Sequence, residues 1–338
     1  MDDPNLLDDL ELAPGLKPED LIFEEQGDHE KGFAAYFDAK LKPILLAENE
    51  ARLDCLRQYR QRSRIAVPVM VLIIVGTIAA AALLFHGSGT DSLLKIAAFI
   101  CFGLGGWMWA PRALYRRQAK NDVLPAVAGF FGFLSYSASA TAPGEYLTAA
   151  RLVPAGDPEL QVCTDHLSGA YHDVPLDIWQ LSTRRRNGRS TTTLWSGIFI
   201  RFGLKKKLEK LTLVRRRSTL PGAAFFELAF SGLEHVALED PEFEKEFECY
   251  SSDQVEARYL LTPDVMQHLK DLSRIFGDAP VQCSFSGDSA FLSIKLAQKL
   301  FEPPPPDKSP VSSRDIHVFL DQMDHLLDII DLLNIENR

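Results

Sequence analysis

The sequence predicts an α+β fold: a transmembrane helical hairpin followed by a mostly antiparallel sheet domain with helices. Two apolar runs, residues 65–85 and 93–110, each approach the roughly 20 residues with which a helix crosses a hydrocarbon core. Beyond residue 145, alternating and β-branched runs are separated by turn signals, with helix signals among them. That mixture of short strands and a few helices is typical of an α+β domain.

Residues 1–30 form an acidic segment with eleven Asp or Glu residues and one Lys. Its net charge equals that of the whole chain, −10, so the remaining residues are balanced. A segment so charged and so poor in aromatic residues is predicted to be a mobile, disordered arm. It lacks the apolar core of a cleavable signal peptide, and the first apolar run begins only at residue 65.

Cysteine usage favours a reducing compartment. The five cysteines are far apart and include no CxxC pair, which argues against a disulfide framework and against a zinc knuckle. We therefore predict reduced thiols in a cytosolic environment.

Residues 31–64 are predicted to form an amphipathic helical stalk, because apolar residues recur there at helical spacing. Pro43 marks an expected kink in this stalk. The pattern allows the stalk to continue straight into the first apolar run.

Basic residues flank the outer ends of the two apolar runs and are absent from the connecting loop, residues 86–92. Before the first run lie Arg57, Arg60, Arg62 and Arg64, and after the second lie Arg112, Arg116, Arg117 and Lys120. The positive-inside rule then predicts a multi-pass membrane protein with both termini in the cytoplasm and a very short loop outside. Trp107, Trp109 and Tyr115 are placed where an inner aromatic belt would lie. The competing interpretation is a helical hairpin buried in a soluble protein.

Residues 121–303 are predicted to form a cytoplasmic α+β domain. Residues 121–137 resemble a helix, and strands are expected at 146–153, 159–163, 169–171, 176–183, 191–202, 211–216, 225–230, 281–286 and 291–296. Asn187-Gly188 and the triplet at 286–288 are hairpin signals. A further helix should begin with Thr262 as its cap and Pro263 in its first position, and should end near Phe276.

The C-terminal segment begins with four prolines at 303–306, which predict a stiff linker assigned to residues 304–311. Residues 312–335 then predict an amphipathic helix with a broad apolar stripe. Such a stripe is too wide for an isolated tail, so the helix either docks back on the domain or pairs with another chain.

One stretch is more specific than the rest. Residues 232–272 read GLEHVALEDPEFEKEFECYSSDQVEARYLLTPDVMQHLKDL, and WSGIFIRFGLKKKLEKLTLV precedes them at 195–214. This resembles a family of bacterial two-span membrane proteins of unknown function with an EFEKxFExYSxDxxEARYLLTP block. The matching positions are Asp240, Pro241, Phe243, Phe247, Tyr250, Ser251, Asp253, Glu256, Ala257, Arg258, Tyr259, Leu261, Thr262 and Pro263, with Phe301, Glu302 and Pro303 at the end. The resemblance covers most of residues 35–303 and leaves the acidic arm and the C-terminal helix outside.

The resemblance implies the two-span topology and the fold, and it implies no activity because none is established for the family. Within the block, Glu256 and Arg258 flank Ala257 beside a strand-to-helix turn, where an ion pair with other elements would fix the geometry. A structural role and a ligand-binding role both remain open for these two residues.

The most suggestive polar feature is a basic tract at residues 183–217, with twelve bases and one acid. In a membrane-tethered domain it could bind anionic lipid headgroups or another anionic ligand. It could equally pair with the acidic arm or form solvated hairpin tips. The candidate ligand-binding residues are Arg184, Arg185, Arg186, Arg189, Lys205, Lys206, Lys207, Arg215, Arg216, Arg217, Glu256 and Arg258. Nucleic acid is not a predicted partner, because the tract carries no recognised motif or aromatic stacking pattern.

Signals for catalysis are thin. His166 and His172 lie near acids and Cys163, but their spacing fits no familiar ligand set. The triplet Gly287-Asp288-Ser289 faintly resembles a serine-hydrolase motif, but a hairpin turn is not the strand–turn–helix setting that such a nucleophile needs. The chain contains no Walker loop, no GxGxxG and no HExxH. We predict no catalytic residue, no metal site and no cofactor.

Together with the resemblance, these patterns predict a multi-pass protein of the bacterial inner (plasma) membrane. Its predicted function is that of a membrane-anchored cytoplasmic module for binding, scaffolding or regulation. An enzyme of unrecognised type acting on a lipid or another membrane-associated substrate is the alternative. The predicted partners are the lipid bilayer, anionic lipids, and a protein partner or second copy bound through the C-terminal helix.

Overall fold

A computed structural model describes residues 15–84, 89–154, 156–217, 230–296 and 304–335 of the chain. These residues divide into two compact units. The helical unit contains residues 15–24, 32–123 and 304–314, and the sheet unit contains residues 25–31, 124–296 and 315–335.

The predicted stalk and the first apolar run form one continuous helical segment. It comprises helix α1 (Phe33–Tyr36), a π-helical turn (Phe37–Leu41) and helix α2 (Lys42–Leu84). The π-turn ends two residues before Pro43, which has no N–H to donate to the preceding turn, so the widened turn lies where a kink was expected. Helix α3 (Gly89–Ala128) contains the second apolar run.

Helices α2 and α3 are each long and apolar enough to cross a membrane. Only 6% of the most apolar 18-residue window in each is buried. Large side chains such as Leu72, Phe99 and Phe102 are 75%, 79% and 82% exposed. A core helix of a soluble protein would be mostly covered, whereas the described residues leave these two apolar faces uncovered.

Aromatic and arginine side chains pack together at the outer ends of the two apolar runs, away from the connecting loop. Arg62 donates from Nη1 to the Trp107 carbonyl oxygen at 2.8 Å and lies 5.1 Å from the centroid of the Trp107 ring. Arg112 lies 4.0 Å from the ring centroid of Tyr59 and 4.8 Å from that of Trp109. Two of the flanking arginines, Arg62 and Arg112, are therefore packed on Trp107 and Trp109 of the predicted belt. Tyr115, also predicted for the belt, is instead buried and hydrogen-bonded to Glu48.

The sheet unit is built on one mixed-length antiparallel sheet with the strand order β1-β2-β3-β4-β6-β5, and β7 also pairs with β4. The strands are β1 (Leu134–Ser137), β2 (Val162–Tyr171), β3 (Val174–Asn187), β4 (Ser190–Arg216), β5 (Glu234–Val236), β6 (Phe247–Ser251) and β7 (Val281–Lys295). The α+β class predicted from the sequence is confirmed.

Strand β4 pairs with β3, β6 and β7, and two predictions about this part of the sheet are wrong. The strands expected at 191–202 and 211–216 are one strand, in which residues 204–207 lie opposite Asp288 alone because the register shifts between Gly203 and Leu208. The hairpin expected at 286–288 is wrong, since β7 runs through it unbroken, with Gly287 taking φ 61°. The Asn187-Gly188 hairpin is confirmed, with Asn187 opposite Ser190 and Gly188 at φ 63°.

Other elements also differ from prediction. The strand expected at 146–153 is helix α4 (Gly144–Ala150), because residues three apart, Leu147 and Ala150, are buried together on one helical face. The helix expected at 121–137 ends at Ala128, and strand β1 follows a left-handed Gly132. The expected strand at 159–163 begins with a 3-10 turn, Pro158–Leu160. The strand expected at 225–230 lies almost entirely outside the described residues.

The remaining helices of the sheet unit are α5 (Pro241–Glu246), α6 (Gln254–Leu260), α7 (Pro263–Ile275) and α8 (Ser313–Ile335). The predicted cap of α7 is confirmed, since Thr262 Oγ1 accepts from the Val265 amide. The apolar face of α8 docks within the sheet unit, with Ile316, Phe319 and Ile330 buried. Of the two predicted arrangements of this helix, the structure therefore shows docking on the domain.

The prediction of a mobile arm at residues 1–30 does not fit residues 15–30. Residues 15–30 contain 3-10 turns at Pro18–Leu21 and Asp28–Glu30, and Phe23 and Glu30 are buried. The ring of Phe23 packs on Phe33 at 4.7 Å and on Phe37 at 5.5 Å between centroids. Aromatic packing thus orders a segment whose charge suggested disorder. Residues 1–14 lie outside the described part of the chain.

Candidate functional site

The ten candidate bases of the tract lie on three surfaces, of which the first is the tip of the β3–β4 hairpin. We call Arg184, Arg185, Arg186 and Arg189 the hairpin tip; all four are exposed. The Asp157 carboxylate accepts from the Arg186 amide at 2.7 Å, and the Asp157 amide donates to the Arg184 carbonyl at 2.8 Å. No ion pair joins these four side chains to the residues that the structure describes. The tip is therefore held through its backbone while its guanidinium groups face solvent.

The second surface is the lysine bulge, Lys205 to Lys207, which lies on the irregular part of β4. All three lysines are exposed. The Lys205 amide donates to Asn334 Oδ1 at 2.9 Å, and Lys206 Nζ lies 4.2 Å from the centroid of the Tyr259 ring. The bulge thus fixes one ammonium group over an aromatic face.

The third surface, Arg215 to Arg217 at the end of β4, is largely neutralised. Arg215 Nη2 lies 2.7 Å from a Glu248 carboxylate oxygen, and Arg217 Nε lies 3.5 Å from the other. Arg216 lies 3.5 Å from Asp278 Oδ1. Internal pairing therefore accounts for this part of the tract, and its partners come from the sheet unit itself.

Glu256 and Arg258 hold backbone in place. The two carboxylate oxygens of Glu256 accept from the amides of Glu209 and Lys210 at 3.0 and 3.1 Å, which fixes β4 just beyond the lysine bulge. Arg258 donates from Nε to the Ala237 carbonyl at 3.1 Å. Glu256 and Arg258 therefore form hydrogen bonds with main-chain atoms in place of the expected ion pairs. These bonds use the same donor and acceptor groups and need no oppositely charged side chain.

The EARYLLTP block forms one wall of a groove in the sheet unit. The groove has a volume of about 400 Å³. It is lined by Arg258, Tyr259, Leu260, Thr262 and Pro263 together with Leu332 and Leu333 of α8. Since Lys206 packs on Tyr259, the groove combines an apolar lining with cationic groups near its rim. Such a lining suits an amphipathic ligand with a negative end.

The histidines singled out in the sequence belong to separate pairs. His166 Nε2 lies 2.9 Å from Asp177 Oδ1, and its ring stacks on Trp179. His172 Nδ1 lies 3.1 Å from Asp331 Oδ1 on α8. The structure therefore does not bring the two histidines into one ligand set. Ser289 donates to the neighbouring Asp288 within β7.

Sequence reasoning missed a buried carboxyl group in the helical unit. A cavity of about 280 Å³ between α2 and α3 includes Glu48 and Tyr115 in its lining. Tyr115 donates its hydroxyl to Glu48 Oε1 at 3.0 Å, and the buried Oε2 has no hydrogen-bond partner within the described residues. Burial, opposed by the Tyr115 hydrogen bond, raises the pKa of Glu48 to about 7. The pair is 67 residues apart in the chain, so no local pattern could reveal it.

The neighbouring Arg52 is fully buried and was also missed. Its Nη1 donates to the carbonyl oxygens of Pro306 and Lys308, each at 3.0 Å. The Pro-rich segment after the sheet unit is therefore fastened to α2 by a buried guanidinium. These two carbonyl oxygens offset part of the cost of burying the charge.

We expect Glu48 to make stability fall as pH rises. Below pH about 4.5 the carboxyl is protonated in both states, whereas between pH about 4.5 and 7 only the unfolded chain releases the proton. Above the folded pKa the buried charge then costs on the order of 3 kcal/mol. Glu48→Gln should remove this dependence and raise the melting temperature at pH 8, measured on the whole protein in neutral detergent. The control is Glu50→Gln, an exposed acid on the same helix. A Glu48→Gln profile that follows the unmodified protein would contradict the assignment.

Comparison with known proteins assigns part of this chain to a family model. Residues 193–335 match the model described as "Protein of unknown function (DUF3137)". The match spans most of β4 through α8 and so contains the groove, the lysine bulge and both block residues Glu256 and Arg258. It extends through the C-terminal helix, which the resemblance seen in the sequence left outside.

The chain matches none of the curated proteins. Among solved structures, the crystal structure of the mycobacterial trehalose monomycolate transport factor A is similar over 59% of this chain and 92% of that chain. The two share 9% sequence identity, and the TM-score is 0.32. A likeness at this level carries no argument about what this protein does.

Proposed function

With residues 193–335 matched to a family of unknown function, we propose that this protein is a membrane-anchored binding module. In this proposal α2 and α3 hold it in the bacterial inner membrane with both termini in the cytoplasm. The hairpin tip then contacts anionic lipid headgroups on the membrane surface.

The anchor is supported by the exposed apolar faces of α2 and α3. An apolar surface of this extent is costly in water and is covered in a bilayer. The arginine–aromatic cluster around Arg62, Trp107 and Arg112 lies where both apolar runs end. Such side chains are favoured at a headgroup boundary, and their position on the outer flanks of the runs supports cytoplasmic termini.

The single observation that carries the lipid contact is the exposure of four hairpin-tip arginines without acidic partners among the described residues. Near an anionic leaflet each well-placed base gains about 1 kcal/mol. By contrast, Arg215 to Arg217 already face Glu248 and Asp278 and would have to exchange these partners for lipid. The tip is therefore the preferred contact within the tract.

The prediction is that the hairpin tip binds anionic membranes in trans. The whole protein is embedded in nanodiscs of neutral lipid and mixed with sucrose-loaded vesicles of neutral or anionic phospholipid, which are then pelleted. We expect the loaded discs to pellet with anionic vesicles at low salt and to be released as ionic strength rises. Changing all four tip arginines to Gln should weaken pelleting at least tenfold, consistent with about 1 kcal/mol per base.

The matched control removes four bases elsewhere: Lys245, Arg274, Lys295 and Lys308, all exposed and outside the basic tract. It changes the net charge equally, so a loss confined to the tip variant identifies the site rather than the total charge. Equal pelleting with neutral and anionic vesicles, or equal loss in both variants, would refute the lipid contact.

A further inference from the structure

Two histidines and two carboxylates from opposite ends of the chain meet in the sheet unit. His29 and Glu30 belong to the 3-10 turn Asp28–Glu30, and His317 and Asp321 lie one turn apart on the same face of α8. His29 Nε2 is 2.9 Å from Asp321 Oδ1. Glu30 Oε1 is hydrogen-bonded to His317 Nδ1. The contact between His29 and Asp321 joins residues 292 positions apart.

The donor atoms have the spacing of a metal-ligand set. One donor atom each from His29, Glu30 and Asp321 lies within 4.8 Å of the others. Tetrahedral ligands at about 2.0–2.2 Å from an ion stand roughly 3.3 Å from one another. The observed separations from His29 Nε2, 2.9 Å to Asp321 and 3.8 Å to Glu30, lie on either side of that value. Small side-chain rotations would equalise them.

The cluster is buried at Glu30, open to solvent at Asp321, and rich in negative charge. The Glu30 side chain is 1% exposed, those of His317 and His29 are 13% and 24% exposed, and that of Asp321 is 48% exposed. Asp324 Oδ2 lies a further 3.6 Å from His29 Nδ1, so three carboxylates crowd around two imidazoles. A divalent cation would offset the charge that burial makes costly.

The surroundings resemble the outer shell of a metal site. His29 offers Nε2 to the centre while its Nδ1 faces the Asp324 carboxylate. Glu30 offers Oε1 while its Oε2 accepts from the Gln26 amide at 2.6 Å. Carboxylates and amides placed behind ligands in this way fix the ring orientation and the ligand basicity.

From this geometry we infer that His29, Glu30 and Asp321 bind one divalent transition-metal ion, with His317 holding the Glu30 carboxylate in place. One imidazole and two carboxylates, with a fourth position left for water, suit Zn²⁺ best. The bound ion joins the segment before α1 to the helix that ends the chain, since the ligands come from only these two elements. Because each ligand is held to its element by the fold, loss of the ion loosens the attachment of residues 25–31 to α8.

The test is a titration of the whole protein in neutral detergent after removal of metals with a chelator. Isothermal titration with ZnCl₂ should show one tight site in the unmodified protein. The double variant His29→Gln, Asp321→Asn should bind Zn²⁺ at least 100-fold more weakly. Zn²⁺ should also raise the melting temperature of the unmodified protein. Co²⁺ should give the visible absorption of a tetrahedral nitrogen and oxygen set, without thiolate bands, which excludes the free cysteines as ligands.

The matched control is His172→Gln, which removes another histidine paired with an aspartate of α8 but without a third donor atom. It should retain the tight site. Asp324→Asn keeps all three ligands and should weaken binding about 10- to 100-fold, so it still tests the site if the double variant does not fold. The inference is overturned if the unmodified protein shows no tight site. It is equally overturned if the tight site persists without His29 and Asp321, or if Asp324→Asn leaves the affinity unchanged.

Discussion

Val75→Lys combined with Phe102→Lys is expected to abolish stable membrane insertion. Val75 is 60% exposed and Phe102 is 82% exposed, and both lie near the middle of an apolar run. A lysine at the centre of a membrane helix costs roughly 2.5–3.5 kcal/mol on insertion scales, so the pair costs roughly 6 kcal/mol. The measurement is the fraction of protein that remains with membranes after alkaline carbonate extraction.

The control places the same charges on exposed apolar side chains outside the runs. Ile22→Lys combined with Val255→Lys suits this purpose, since these residues are 57% and 77% exposed. This variant should remain in the carbonate-resistant fraction with the unmodified protein. If carbonate releases the unmodified protein, or if the Val75 and Phe102 variant is retained equally well, α2 and α3 do not anchor the chain.

Phe199→Ala is expected to lower the free energy of unfolding of the sheet unit by roughly 3–5 kcal/mol. Phe199 is fully buried on β4, where that strand pairs with β3 on one side and β7 on the other. Its ring packs on Phe291 and Trp179 with centroids 5.9 and 6.0 Å away. Alanine would leave a cavity among rigid aromatic neighbours that have no room to collapse.

Urea unfolding of the whole protein in detergent, followed by tryptophan fluorescence, would measure this loss. Tyr259→Ala serves as the comparison, because that ring is 54% exposed and its removal leaves no internal cavity. It should cost less than about 1 kcal/mol by the usual scale for surface changes. A Phe199→Ala effect no larger than this would mean that the aromatic cluster does not hold the sheet together.

Local patterns predicted the elements whose signals are contained in a few adjacent residues. The apolar runs in α2 and α3 are recognised by their length alone. Thr262 and Pro263 specify the start of α7 because a cap hydrogen bond and a fixed φ act within one turn. Asn187-Gly188 specifies the β3–β4 hairpin because it tolerates the backbone angles of a tight turn.

The errors share a different physical cause. The segment around Leu147 is β-branched and aromatic enough to suggest a strand, but it forms α4 because its buried face packs on the sheet core. The turn residues at 286–288 do not break β7, because pairing with β4 on the same sheet outweighs the local turn preference. In both places the tertiary environment overrides local propensity.

The candidate sites show the same division. The basic tract was recognisable from composition, but only the fold separates the exposed hairpin tip from Arg215 to Arg217, whose charges are matched by Glu248 and Asp278. The number of charged residues can be read from the composition, but the partner of each charged side chain cannot. Burial and distance, which decide whether a charge is available to a ligand, are properties of the folded chain.

By itself the sequence determined the two apolar helices, the α+β class and the excess of positive charge in one tract, because hydropathy, periodicity and composition are local quantities. The tertiary structure alone decided that Glu48 meets Tyr115 and that His29 and Glu30 meet His317 and Asp321. Contacts between residues far apart in the chain depend on how the helices and strands pack, and no short stretch of sequence encodes that packing.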